Sequence, residues 1–339
     1  MAQLQSVGEF GLIQRLARRV ATRSSAVTQG IGDDAALLIL PEGQQFVVTK
    51  DLLLEAVHFR REWTSARDLG WKALAVNLSD LAAMAATPLA AFVGLALPAD
   101  VSLEWVDDFY SGMEALANDF AVTIAGGDTT ASPTGVVIAV TAVGQVPTKR
   151  AVLRSGARVG DVVIVTGTLG DAALGLRLLG DIRSERAIQP VETSLLRAHR
   201  LPYPRLREMA AAVGAATIHA GLDLSDGLAG DAAHLAEASN VTLELQAEAL
   251  PLSDDGRAAC RALGQDPGHL ALHGGEDYEL LLTLAEADAP AVVAAIESTG
   301  TRATVIGRVI AREAASIILL SAGRRETVLT GGFDHFPSG

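Results

Sequence analysis

The chain has 339 residues, enough for two domains at roughly 150 residues each, and its 49% hydrophobic and 20% charged residues are those of a globular protein. Its formal charge of 27 − 40 = −13 excludes a nucleic-acid binder that works through a basic surface. The single cysteine, Cys260, excludes an intrachain disulfide and a cysteine-rich zinc site.

The first residues, MAQLQSVGEF, contain no basic stretch followed by an apolar core, so no secretory leader is expected. Residues 9–20 are helical by period, and 21–29 read as loop. The apolar runs 35–40 and 45–49 flank Pro41 and Gly43 and are expected to pair as strands. Residues 65–86 predict a long helix ended by Pro88, and 90–97 a short strand. The apolar run there spans about a dozen residues and is short of the roughly 20 that cross a membrane, so a cytoplasmic protein without membrane contact is expected.

Ser102 is expected to cap an amphipathic helix, because Leu103, Val106, Tyr110, Met113, Ala117 and Phe120 recur at helical spacing. Residues 121–125 read as a buried strand broken by Gly126-Gly127-Asp128, and 136–143 as another; 144–156 looks like the passage between two domains. In the second half, 162–166 is a wholly apolar strand, 167–171 turns into a helix reaching 179, and 181–191 is a polar loop. Strand-to-helix transitions are expected at 221–227 and 241–254, strands at 278–284, 303–309 and 316–320, and a helix at 291–298 behind Pro290. Strands and helices mix without strict alternation, which points to an α+β fold of two α/β-type domains.

Seven aspartates sit beside glycine or at the edge of an apolar element: Asp33, Asp34, Asp51, Asp80, Asp128, Asp223 and Asp226. Gly30-Ile31-Gly32-Asp33-Asp34-Ala35 fits the spacing of a dinucleotide loop, but polar residues precede it, a strand pattern follows it, and its acids would repel a pyrophosphate. It is an acidic turn or a cation site. Asp80 lies within an apolar helix, three residues from Asn77 and on the same face. Asp128 ends a buried strand after two glycines. Asp223-Leu224-Ser225-Asp226-Gly227 is either a helix cap or a cradle for a cation or phosphate. No GxxxxGK[ST] loop, HExxH or CxxC occurs, and the only lysines are Lys50, Lys72 and Lys149. Hard oxygen donors select Mg²⁺, so the pattern implies several aspartates holding metal against a phosphorylated ligand.

These motifs, taken in order, resemble one family. GIGDDAALL, VNLSDLAAM, GGDTT, RSGARVGDVVIVTGTLGD, LDLSDGL, GGEDYEL and GFDHF are similar to the thiamine-monophosphate kinases, within a superfamily that includes aminoimidazole ribonucleotide synthetase. The resemblance implies an N-terminal domain, 1–149, with a mixed sheet and helices, that binds metal and nucleotide and dimerises through its sheet. It implies a sandwich-like C-terminal domain, 150–339, that completes the ATP and substrate site. Asp34, Thr49, Lys50, Asp51, Asp80, Asp128, Asp223 and Asp226 match metal-ligand positions of the family. Tyr110, Gly127, Asp128, Arg154 and Ser225 match ATP positions, and His58, Glu276 and Phe333 match the thiamine-phosphate side.

Two departures stand out. Thr49-Lys50-Asp51 puts lysine where the family has a hydroxyl residue, leaving the main-chain carbonyl of residue 50 as a donor. Ala56 in Glu55-Ala56-Val57-His58-Phe59 replaces a glycine, which matters if that residue needs a positive φ. The implied reaction is magnesium-assisted, in-line transfer from ATP to thiamine monophosphate, with Asp128, Arg154 and Asp226 at the transfer and a homodimer as the working form. Another ATP-dependent enzyme of the superfamily, or a non-catalytic metal-stabilised binding protein, are the other readings.

Overall fold

A computed structural model of the chain describes residues 15, 16, 18, 19, 23–29, 37–181 and 190–328. The chain divides into two compact units, Met1–Leu81 with Ala86–Ala151, and Ala82–Ala85 with Val152–Gly339. The expected segment 9–20, the acidic turn at 30–35, most of the polar loop and the C-terminal GFDHF lie largely or wholly outside the described residues.

The first unit opens with a small hairpin, β1 (Val27–Gln29) and β2 (Leu37–Leu38). Its main sheet comprises β3 (Gln44–Leu54), β4 (Thr87–Leu97), β5 (Thr123–Ala131) and β6 (Val137–Pro147), in the order β3-β6-β4-β5. β6 runs antiparallel to β3 and β4, whereas β4 and β5 are parallel. A parallel pair needs a crossover; α2 (Leu103–Asp119) supplies it, and α1 (Ala66–Ala83) joins β3 to β4. Ser102 accepts from the Trp105 amide at 3.2 Å, and Val106, Tyr110, Met113 and Ala117 of the expected stripe are buried.

Alternation along β3 defines the layers. Val47 and Leu53 are buried, while Phe46, Val48 and Leu52 are exposed, so one face of the sheet packs on helix and the other is open. The two helices cross almost backbone to backbone. A Cβ on Gly70 would lie 1.8 Å from the Phe109 carbonyl oxygen, and one on Gly112 would lie 1.7 Å from that of Arg67.

Three local expectations change. The 45–49 strand pairs with β6, not with 35–40: β3 and β6 are each 11 residues and match from Gln44–Pro147 to Leu54–Val137, a ladder that the two-residue β2 cannot offer. Residues 27–29, read as loop, form β1. And β5 continues through Gly126-Gly127-Asp128 instead of breaking there. Those glycines are demanded by the neighbouring strand, since a Cβ on Gly127 would meet the Val93 carbonyl oxygen at 2.0 Å and one on Gly126 would meet the Phe92 ring at 3.0 Å.

The second unit contains, in chain order, β7 (Asp161–Thr166), α3 (Asp171–Asp181), α4 (Pro190–Arg200), α5 (Leu206–Ala215), β8 (Ala220–Leu224), α6 (Leu228–Ser239), β9 (Val241–Gln246), α7 (Asp254–Leu263), α8 (Pro267–His273), β10 (Glu279–Ala285), α9 (Ala289–Glu297), β11 (Ala303–Ala311), β12 (Ile317–Ser321) and β13 (Arg324–Thr327). The sheet order is β13-β12-β9-β11-β7-β10-β8, with β12 and β9 parallel and every other neighbour antiparallel. Leu228, Ala232 and Leu235 of α6 pack with Leu222, Leu243 and Leu281 to form the core. Two mixed α/β units give the α+β architecture expected. The sequence reading missed α4 and α5. Proline at the first position of α4, an acid in its first turn and Arg197, His199 and Arg200 in its last were the available signals. Among the described residues no helix is long and apolar enough to cross a membrane.

Candidate active site

In the first unit two of the acidic residues, Asp51 and Asp80, meet on the covered face of the sheet. Thr49 and Asp51 lie two apart on β3 and turn toward α1, where the Thr49 hydroxyl donates to the Asp80 carboxylate. Asn77, one turn before Asp80, accepts the Asp51 amide through Oδ1 at 3.2 Å and donates to the Ala73 carbonyl at 3.1 Å. Burial, and then the Asp80 charge, push the Asp51 carboxyl up to about 6. Two carboxylates and a hydroxyl therefore converge where the protein disfavours negative charge. Lys50 lies between them in sequence but is exposed, on the opposite side of the strand.

The segment after β3 is a tight loop. The His58 amide donates to the Leu54 carbonyl at 2.9 Å, and His58 Nδ1 accepts the Leu54 amide at 3.0 Å. An Nδ1 that accepts cannot carry a proton, so the neutral ring bears its hydrogen on Nε2. Glu55 anchors the loop by accepting from the Val136 amide and from Arg61 Nε, both at 2.8 Å. Ala56 holds a φ of 70°, so the position does require the left-handed region.

Asp128 is exposed and in register with Gly94. Asp51, Val140, Val93 and Gly127 form one row across the sheet. Three strand spacings, about 14 Å, separate the row's ends. Asp128 follows Gly127 at the far end of that row from Asp51. Tyr110 is 4% exposed, edge-on to Phe109, and its hydroxyl is held above its ordinary pKa by burial.

In the second unit two motifs that are distant in sequence become one structure. β8, which carries the buried Asp223, pairs with β10, and beyond the strand ends the Glu276 amide donates to the Ser225 carbonyl at 2.7 Å and the Tyr278 amide to the Leu224 carbonyl at 2.8 Å. Ser225 and Asp226 thus lie against Glu276. Asp231, in the first turn of α6, accepts from the amides of Asp226 and Gly227 at 3.0 and 3.1 Å. Burial, and then Asp226, push Asp231 up to about 7. Glu276 Oε2 lies 2.9 Å from Nδ1 of His199 on α4.

Arg154 is exposed, and its carbonyl accepts from Ser239 at 3.0 Å, while the preceding Leu153 carbonyl accepts from the Gly221 amide. Its main chain stands beside the start of β8, whereas Ser225 and Asp226 follow that strand's end. Asp34 and Phe333 lie outside the described residues. Among the described residues no three His, Cys, Asp or Glu side chains converge as a metal cluster. Asp231, Asp277 and His199 were not singled out by sequence; an acid five residues after Asp226, at the start of a helix, was the signal for Asp231.

The chain is similar to known proteins over almost its whole length. Two family models match, "AIR synthase related protein, N-terminal domain" over residues 32–146 and "AIR synthase related protein, C-terminal domain" over residues 158–319. The thiamine-monophosphate kinase of Escherichia coli (strain K12) is 38% identical over 97% of this chain and 98% of its own. The solved thiamine-monophosphate kinase from Stenotrophomonas maltophilia K279a superposes with a TM-score of 0.81 at 39% identity, covering 92% of this chain and 96% of that one. A structure described as "AaThiL complexed with AMPPCP and TMP" superposes with a TM-score of 0.77 at 34% identity, covering 99% of both.

Proposed function

This chain belongs to the thiamine-monophosphate kinase family, and from that premise we infer that it transfers the γ-phosphoryl group of ATP to thiamine monophosphate, giving thiamine diphosphate and ADP. The near-full-length identity to named kinases carries this reading. The relative solved with AMPPCP and TMP supports one site for a nucleotide and a monophosphate together. Identities above 30% favour this activity over other ATP-dependent enzymes with the same paired domains.

The donors fit magnesium. Thr49, Asp51 and Asp80 offer only oxygen, and the burial that raises Asp51, with the Asp80 charge adding to it, is a penalty a divalent cation would relieve. We assign to metal these three, Asp223 and Asp226, with Asp34, Asp128 and the Lys50 carbonyl. When bound, magnesium offsets phosphate charge and aligns donor with acceptor.

The protein's own contributions follow from its groups. Gly127, exposed on the edge strand β5, offers its main chain to a phosphate. Gly127, Asp128, Arg154, Ser225 and Tyr110 are assigned to ATP, with Asp128, Arg154 and Asp226 at the transfer. His58 donates from Nε2 to the acceptor phosphate, and Glu276 and Phe333 take the thiamine end. A phosphate monoester has a second pKa of about 6 and is already deprotonated at neutral pH, so no general base is required and transfer is in-line without a phosphoenzyme. Phe46, Val48 and Leu52 on the open sheet face support a homodimer formed through that face; the cytoplasm is its assigned compartment.

The experiment is ADP release with magnesium and ATP, with and without thiamine monophosphate, and identification of the product. Release that depends on the monophosphate and yields thiamine diphosphate is expected; release without it, or none, rejects the assignment. A phosphorylated aspartate trapped during turnover would reject direct transfer.

A further inference from the structure

Among the described residues of the second unit, the segment 274–278 holds two left-handed non-glycine residues. Glu276 and Tyr278 hold φ values of 68° and 51°, a left-handed conformation at two non-glycine residues separated by one. Such a conformation persists only where its surroundings over-determine it. The main chain is tied on one side, by the amides of Glu276 and Tyr278 bonding to the carbonyls of Ser225 and Leu224. The other tie is Asp277. Its carboxylate accepts the Gly170 amide at 2.8 Å, where the chain turns into α3, and the Ala172 amide nearby favours its charged form. Desolvation, with Glu279 and Asp171 nearby, raises its pKa well above the usual carboxylate range, and those amides oppose the rise.

Two adjacent carboxylates thus grip two neighbouring helices from one loop. Asp277 holds the start of α3, and Glu276 meets His199 on α4. The helices are themselves in backbone contact, since a Cβ on Gly175 would lie 2.1 Å from the Leu195 carbonyl oxygen. The proposed transfer makes no use of Asp277.

We propose that Asp277 is a positioning residue for Glu276: by capping α3 it locks the left-handed pair and fixes the direction in which Glu276 meets the thiamine end of the substrate. This rests on the reading of Glu276 as a substrate contact. A cap that served α3 alone would affect stability and not substrate affinity.

The test compares Asp277→Ala, Asp277→Asn, Glu276→Gln and the Glu276→Gln/Asp277→Ala double variant of the full chain, reading KM for each substrate, kcat and Tm. Asp277→Ala is expected to raise KM for thiamine monophosphate about tenfold and leave KM for ATP within about twofold. Asn, which keeps an acceptor oxygen at the same reach, restores most of the loss. With Glu276→Gln already present, Asp277→Ala adds less than about twofold, because it acts through Glu276. A lower Tm with both KM values unchanged, equal rises in both, or an additive double variant overturns the proposal. If Glu276→Gln raises KM for thiamine monophosphate and Asp277→Ala does not, this inference fails alone. If Glu276→Gln has no effect, the reading of Glu276 falls and this inference with it. Should Asp277→Ala not fold, Asp277→Glu, which displaces the carboxylate by one methylene, is read in the same way.

Discussion

Ala56 is a side chain in a glycine's conformation, and its φ of 70° sits in the loop that carries His58. An L-residue there costs about 1–2 kcal/mol, part of which a glycine would return as unfolded-chain entropy. Ala56→Gly is therefore expected to stabilise the protein by about 1 kcal/mol, read as a rise in Tm. Asp51 and Asp80 give a second expectation. Magnesium should raise Tm, by about 2.7 kcal/mol of stability at a hundred times its Kd, and Asp51→Asn should abolish that increment while raising the Tm of the metal-free chain. Asp128→Ala and Asp226→Ala should abolish turnover with the melting curve intact; near-normal rates at saturating magnesium would remove either from the site. At this scale the sequence was a good guide to residue type and a poor guide to geometry. Asp80 was legible because an acid inside an apolar helix is conspicuous, whereas the pairing of Thr49 with it depends on which strand face meets α1. Asp231 and Asp277 act by binding amides brought close only by the chain fold, which no spacing reveals.

At the scale of elements, the crossing of α1 over α2 turns on two missing side chains. Gly112→Ala would drive a methyl into the Arg67 carbonyl, so the helices must separate, and a loss of about 3 kcal/mol is expected from urea unfolding. An unchanged midpoint would mean that the crossing is not as close as described. α2 was readable from sequence because one stripe of apolar residues suffices to define it, and α1 because its apolar run is too long for a strand. β5 was not, because two consecutive glycines are ordinarily a stop signal, and here they answer to β4, Gly127 to its backbone and Gly126 to the Phe92 ring. α4 was hidden by the polar residues before it, although its proline and its charge gradient mark both ends.

For the whole molecule, the open face of the first sheet is the feature with most at stake. Phe46, Val48 and Leu52 are each about half exposed, and a second copy that covers them removes apolar surface from water. Val48→Glu is expected to shift the mass measured by light scattering from two chains to one; a two-chain mass in that variant would place the dimer contact elsewhere. The net charge of −13 acquires a structural meaning, because part of it is concentrated in aspartates that face one another within each unit. On the proposed function, a chain with three lysines would handle phosphates through metal held by those aspartates.

The position of β7 has a consequence for synthesis. It opens the second unit in sequence yet lies inside the sheet, between β10 and β11, with every residue buried. Its partner Glu279 lies 113 residues after Thr166. At about 5–20 residues per second, a ribosome needs roughly 6–23 seconds to deliver that partner. Throughout that interval Val162–Thr166 is an unpaired, uncharged, β-branched segment of the kind that joins other chains. The nascent protein is thus most vulnerable to aggregation midway through translation, and slower elongation would lengthen the exposure while faster folding of the first unit would do nothing to shorten it.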